Sequence, residues 1–358
     1  MAQVENLQAS SDDSTKRIPL NGVPHLYYWV LGAGFVVIVT LACLLIWGPN
    51  MEYPTTVSSS EVAAGASTVV IEKSLRQVTG DSIDDWATWL TKNGDWLFEG
   101  VKAAIQYALR YIEETLKWIP WPAIVVALAL LSYAVGRWTM ALFTTFAMLF
   151  FGFMGLWQNM IDTVALMVVS VAIAVAAGLP LGVIGARSQL ADNIMRPILD
   201  AMQTMPSFVY LLPGILFFGL GSPAGIFATL IYAVPPVIRL TNLGIRQVSE
   251  ETVEAARSFG ASPWQVLTKV QVPMAMPTIM AGINQTTMMA LAMVTIASMV
   301  AAGGLGDNVL RALQKNQVGE GLISGAAIVF LAIIFDRLTQ SVARGRQDAM
   351  SHTAHAAG

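Results

Sequence analysis

Eight apolar runs divide this 358-residue chain, and they leave it few folds other than a bundle of membrane-crossing helices. They are Leu26–Trp47, Pro122–Gly136, Thr139–Trp157, Met160–Ala186, Phe208–Leu220, Ala224–Ile238, Ile279–Ala302 and Gly321–Phe335. A helix needs about 20 apolar residues to cross a bilayer, and several runs reach that length while others are short or broken by Gly and Pro. Hydrophobic residues make up 55% of the chain and charged residues 12%, against about 25% charged in a soluble protein. The fold class is therefore all-α and polytopic. The single cysteine, Cys43, lies in an apolar run, so no disulfide framework forms within one chain. His25, His352 and His355 lie near the ends, which argues against a histidine-based metal centre.

Residues 1–25 form a polar tail expected to be disordered and cytoplasmic. Residues 26–47 read as an N-terminal membrane anchor; the run is too long for the core of a signal peptide, and no small-residue cleavage site follows it. Residues 48–120 read as a periplasmic or interfacial segment. Within it, Asp95–Trp118 places Leu97, Val101, Ile105, Leu109, Ile112 and Leu116 at helical spacing, as an amphipathic helix does. Trp86, Trp89, Trp96, Trp118 and Trp121 suit the membrane–water boundary. Residues 121–345 form the transmembrane domain, and 346–358 a second cytoplasmic tail.

Orientation follows the bias of Lys and Arg toward the cytoplasm. With eight spans and an inside N-terminus, Arg137, Arg187, Arg196, Arg239, Arg246, Arg257, Lys269 and Arg337 all fall inside, and only Arg311 and Lys315 fall in short outer loops. Both termini are then cytoplasmic.

Motifs for chemistry are missing. The chain has no Gly-Lys-Ser/Thr phosphate loop, no HExxH, no CxxC and no nucleophile elbow. The GGLG at 303–306 reads as a turn. Catalysis within the chain is not expected, and neither is nucleic-acid binding. An ion-coupled secondary carrier for small amines is the alternative reading. It would need an acid within a span, and Asp162 and Asp336 are the candidates; both read as boundary residues.

A polar interruption at 254–277, EAARSFGASPWQVLTKVQVPMAMP, stands between apolar runs on the cytoplasmic side. It reads as two short helices at roughly a right angle. Ser249 caps the first, and Gly260 ends it with a left-handed residue. Ser262 caps the second, with Pro263 at its first position. Pro273 and Pro277 are expected to break it before the next span. Ala255 and Ala256 are small enough for another surface to approach the backbone.

The EAA…G…VP pattern resembles the cytoplasmic loop of ABC importer permeases, with similarity over about residues 160–344. RPILDAMQTMPSFVYLLP (196–213), VPPVIRLTNLGIRQV (234–248) and the segment 259–306 resemble permeases of glycine betaine/proline betaine importers. The resemblance implies a type I permease core and a homodimer in the bacterial inner membrane. It implies two ATP-binding subunits that grip the loops and a periplasmic binding protein that delivers a quaternary amine. Glycine betaine or proline betaine leads; choline, carnitine and trimethylamine N-oxide importers share the motifs. Glu254, Ala255, Ala256 and Gly260 take the coupling positions, with Ala261, Ser262 and Pro273 completing the segment. No cofactor belongs to this chain, and ATP and magnesium would be bound on the partner ATPase. The path for the ligand is expected along the flanking spans. Met205, Pro206, Phe208 and Tyr210 lie at a proline break there, and Asn284, Met288, Thr295, Ser298 and Met299 supply uncharged polar and soft surface.

Overall fold

The computed structural model describes residues 56–61 and 69–356, so the expected anchor at 26–47 lies outside the described residues. Two compact units divide at Asp85. The first holds the one departure from an all-helical fold among the described residues: strands β1 (Thr56–Glu61) and β2 (Val69–Ser74) pair antiparallel, Thr56 opposite Ser74. Helix α1 (Leu75–Trp118) follows β2 directly and extends the amphipathic segment some twenty residues toward the N-terminus. Ser74 and Gln77 cap its start reciprocally: Gln77 N–H donates to the Ser74 hydroxyl at 3.2 Å, and Ser74 N–H to Gln77 Oε1 at 3.0 Å.

The second unit is the helical bundle. It comprises α2 (Trp121–Phe153), α3 (Trp157–Arg187), α4 (Gln189–Thr204), α5 (Leu211–Phe218), α6 (Ser222–Arg246), α7 (Glu250–Ser258), α8 (Pro263–Val266), α9 (Val272–Ala297), α10 (Leu305–Gln314) and α11 (Val318–Ala356). Among the described residues, five helices are long and apolar enough to cross a membrane. A further pair, α4 with the segment Ser207–Phe218, is bent by 107° and amounts to one broken span.

Helix α2 is two arms. Gly136 and Arg137 leave helical geometry, and Arg137 adopts φ 56°, ψ −152°. The Ser132 and Thr144 hydroxyls lie 2.8 Å apart, whereas twelve residues of straight helix span about 18 Å. The chain therefore turns back at Gly136–Arg137, as the two separate runs 122–136 and 139–157 imply. The apolar window of α2 is only 11% buried. Its outward residues, among them Leu130, Leu142 and Phe146, are apolar, as a lipid-facing surface requires.

Helix α6 is the centre: its window is 67% buried, the highest among the spans. Helix α3 approaches it along Gly178, Gly182 and Gly185, a small-residue stripe at spacings of four and three. A Cβ on Gly182 would lie 2.8 Å from the carbonyl oxygen of Ile238 and 2.6 Å from Cβ of Thr241. From the other side α9 approaches through Gly282, where a Cβ would meet the Pro236 carbonyl oxygen at 3.2 Å. Helix α1 covers the bundle from residue 86 onward. Ile105 and Leu109 are buried against Leu166, Val169 and Ile226, and Ile112 packs beside them. Leu97 and Val101, expected on the same apolar side, are exposed, while Phe98 stacks on Phe217 at 4.7 Å.

The expected break at Pro273 and Pro277 does not occur. Helix α8 runs through a π-helical turn (Leu267–Gln271) into α9, making one helical rod from Pro263 to Val300. Pro273 sits in the first turn of an α-segment, where its missing N–H costs little. At the far end the rod closes in the expected GGLG turn. Gly303 and Gly304 hold φ of 86° and 82°, and Leu305 N–H donates to the Thr163 hydroxyl at 2.8 Å.

The glycine seam predicts a contrast. Gly182→Ala should destabilise the detergent-solubilised protein by about 1–3 kcal/mol through overpacking. Gly152→Ala, in open space on α2, should be neutral or stabilise by up to about 1 kcal/mol. Equal thermal melting of the two variants would contradict the seam.

Candidate coupling surface and path

Helix α7 begins at Ser249, whose backbone is extended as a cap requires. Its hydroxyl contacts Thr252 Oγ1 at 2.6 Å instead of a backbone N–H, so the expected side-chain cap is absent. The C-terminal end matches expectation closely. Gly260 takes φ 82°; its N–H donates to Arg257 O at 2.9 Å, and Ala261 N–H donates to Ala256 O at 3.1 Å. This pair of bonds is a Schellman closure, and it satisfies carbonyls that the helix end leaves free. Ser262 and Gln265 then form a capping box at the head of the rod. Ala256, Gly260, Ala261 and Ser262 thus fix the shape of the turn, while Glu254 and Ala255 stand exposed on α7.

The underside of this loop is anchored. Val253, Val266 and Leu267 are buried. Leu267 joins Ile245, Ala275 and Ile279 in one apolar cluster. Arg187, at the end of α3, donates to Pro263 O at 2.7 Å. The outer side carries two large apolar residues that the sequence reading passed over: Phe259, 92% exposed, and Trp264, 67% exposed. Exposed aromatics on an otherwise polar turn mark a contact surface.

Behind the loop lies a polar knot that sequence reasoning missed. Asp192 on α4 is 2% exposed. It accepts from Arg196 at 2.6 Å and from Asn242 at 2.7 Å, and Arg246 approaches to 3.4 Å. Arg246 also donates to Asn242, Gln189 and the carbonyl of Gly185. Three helices, the end of α3, the start of α4 and the end of α6, are joined through Arg246 and one buried carboxylate. Asp200 pairs with Arg239 further along the same two helices, in a far more exposed position.

The residues expected along the path separate into two groups. Tyr210 is buried, and its hydroxyl donates to Met202 O at 3.0 Å, holding the broken span bent. Asn284 donates to Asp336 on α11 at 3.1 Å and accepts from Thr339. Ser298 is buried and donates to Thr295 O. These three serve helix packing. Met205, Pro206 and Phe208 are exposed at the break. Met288, Thr295 and Met299 lie on one face of α9 together with Met274, Ala281, Gln285 and Ala292, a stripe repeating at threes, fours and sevens that is exposed or half-buried throughout. Gln285 is exposed in mid-span with no hydrogen-bond partner among the described residues. Polar side chains at that depth face a cavity or another protein surface rather than lipid.

The two intramembrane acids are both engaged: Asp162 with Gln158 at 2.8 Å and Lys117 at 3.7 Å, and Asp336 with Asn284 and Gln340.

Comparison with known proteins adds the following. A family model described as "Binding-protein-dependent transport system inner membrane component" matches residues 178–346. A glycine betaine/proline betaine transport system permease protein of Escherichia coli is 46% identical over 264 residues, 72% of this chain and 75% of its own length. A glycine betaine/carnitine transport permease protein of Listeria monocytogenes is 46% identical over 266 residues, 71% of this chain and 94% of its own. Among solved structures, an inward-facing methionine ABC transporter aligns with a TM-score of 0.48 at 22% identity, over 53% of this chain and 95% of that one.

The knot behind the loop makes a prediction. Asp192→Ala takes the shared buried acceptor from Arg196, Arg246 and Asn242 and should cost about 1–3 kcal/mol, since the guanidinium groups keep access to water. Asp200→Ala, at an exposed pair, should cost less than about 1 kcal/mol. Chemical denaturation of the two purified variants compares them directly, and a larger loss at Asp200 would refute the assignment.

Proposed function

The chain belongs to the family of inner-membrane permease components of binding-protein-dependent transport systems, and we propose that it is the membrane subunit of an ATP-driven importer of a small quaternary amine, with glycine betaine the leading substrate. The observation that carries this reading is substrate agreement: three relatives at 46% identity have glycine betaine in their names, across nearly three quarters of this chain.

In the proposed assembly two copies of the chain face each other in a bacterial inner membrane with both termini cytoplasmic. Two ATPase subunits bind the loops at 250–266. A separate binding protein presents the ligand at the opposite side. ATP and magnesium act on the ATPase subunits, and this chain performs no hydrolysis.

The physical basis of coupling is the shared helix. The turn that carries Trp264 and the helix that carries Gln285, Met288, Thr295 and Met299 are one rod. A displacement of the loop by the closing ATPase moves the stripe with no intervening flexible joint. Alternating access is then a two-state rocking that the nucleotide biases. The stripe presents methionine, small residues and one amide, a surface that lets a zwitterion pass without holding it. Tight recognition of the quaternary ammonium group, which aromatic cages provide, falls to the binding protein.

Two experiments test this reading. Phe259→Ala with Trp264→Ala should leave the permease folded and lower its association with the ATPase at least about 30-fold, the cost of losing a single interface anchor of about 2 kcal/mol. Undiminished co-purification and uptake would remove the coupling surface. For the path, Ala292→Trp should abolish glycine betaine uptake by reconstituted complexes, while Leu142→Trp on the lipid-facing arm of α2 should not. Uptake that survives Ala292→Trp places the path elsewhere.

A further inference from the structure

The two arms of α2 and the cytoplasmic half of α11 enclose a cavity of about 740 Å³ at the level of the hairpin tip. Gly136, Thr139 and Met140 line one side, and Arg337, Gln340 and Ser341 the other. No acidic side chain lines it. Arg337 is exposed, and neither it nor Arg137 at the tip has an ion-pair partner among the described residues.

The tip is also strained. Arg137 holds φ 56° with ψ −152°, a region essentially reserved for glycine, at a cost of about 1–3 kcal/mol. A cation is thus kept where glycine would be relaxed, next to Gly136, which lines the cavity. Trp138 and Tyr133 pack edge to face beside it at 5.6 Å, both exposed, as amphipathic rings are at a membrane boundary. Away from the tip α11 packs on α2 through Phe330 against Phe143, Phe146 and Phe150, and the outward sides of both helices stay apolar, with Leu142 and Phe146 on α2 and Val329 on α11 exposed.

We propose that this cavity binds an anionic phospholipid of the cytoplasmic leaflet. Arg337 and Arg137 take the phosphate, the Thr139 and Ser341 hydroxyls lie beside it, and an acyl chain lies along the exposed apolar side chains of α2 and α11. Basic pockets between spans on this side of a membrane are suited to anionic headgroups, and the exposed apolar side chains beside this one favour a lipid over a free anion. The leaflet follows from the orientation under Proposed function; the choice of ligand does not depend on the transported substrate.

The test is competitive retention. The purified full-length chain is offered phosphatidylglycerol and phosphatidylcholine in equal amounts, washed in detergent, and its bound lipid counted by native mass spectrometry. The wild type should keep phosphatidylglycerol in preference. Arg337→Gln should reduce that preference about five-fold, and Arg337→Gln with Arg137→Gly about 25-fold, from about 1 kcal/mol per cation. Glycine at 137 relieves the strained backbone, so this variant should fold. An arm without variants raises salt from about 0.1 M to about 1 M, which should strip phosphatidylglycerol but not phosphatidylcholine, because exposed charges are screened. Equal retention of the two lipids by the wild type, a preference unchanged in the double variant, or a preference insensitive to salt overturns the proposal. Displacement of the lipid by equimolar inorganic phosphate also overturns it, in favour of a free-anion site.

Discussion

Close approach of backbones on both sides of α6 is the constraint on which the rest depends. Lipid offers little hydrophobic incentive for helices to associate, so association relies on packing and on polar contacts. Gly178, Gly182 and Gly185 let α3 settle against α6, and Gly282 lets α9 do so where α6 carries Pro235 and Pro236. A single methyl group at Gly182 would intrude on the Ile238 carbonyl. With α6 sandwiched in this way, the remaining helices are placed by what is left exposed: α2 at the lipid side, α5 against the start of α6, α10 folded over the far end.

Polar groups then fasten the ends. The Asp192 knot gathers α3, α4 and α6 beneath the loop, and Arg187 reaches across to Pro263. At the far end, Asn159 and Thr163 of α3 hold the turn that leads into α10. Buried ions contribute little net stability against apolar replacements, yet removing one partner is costly. Such a knot therefore specifies arrangement more than it adds stability. It makes the loop and three spans behave as one block on the side where force would be applied.

Much of this was legible in the sequence because it follows from local rules. The apolar runs after residue 121 all reappear as helical segments, including the two arms of α2, which Gly136 and Arg137 separate. Gly260, Ser262 and Pro263 announce the turn through capping chemistry that needs no tertiary context. Other features were hidden for identifiable reasons. Pro273 looked like a terminator, since proline interrupts a helix; after a π-turn it occupies a first turn and interrupts nothing. Helix α4 mixes Asp192, Arg196 and Asp200 among apolar residues, so no run signals it, and Asp192 finds its partners 50 residues away on α6. Asn284, Ser298 and Gln285 are alike in composition. Only packing against α11 and α6 decides that the first two are consumed in contacts while the third remains open.

The π-turn at 267–271 has a consequence for register. Such a turn amounts to one extra residue in a helix, and one residue rotates everything beyond it by about 100° in a repeat of 3.6. The side of the rod that bears Gln285 and Met288 is therefore aimed by a feature about four to five turns away, next to the loop. Loss of a single residue between Pro263 and Val272 would swing that amide to the place of Asn284, against α11, and bring Gly282 out of the α6 seam to the exposed place of Ala281. The segment is consequently intolerant of length change even where its individual side chains are replaceable, whereas the turn before Ser262 is free of that restriction.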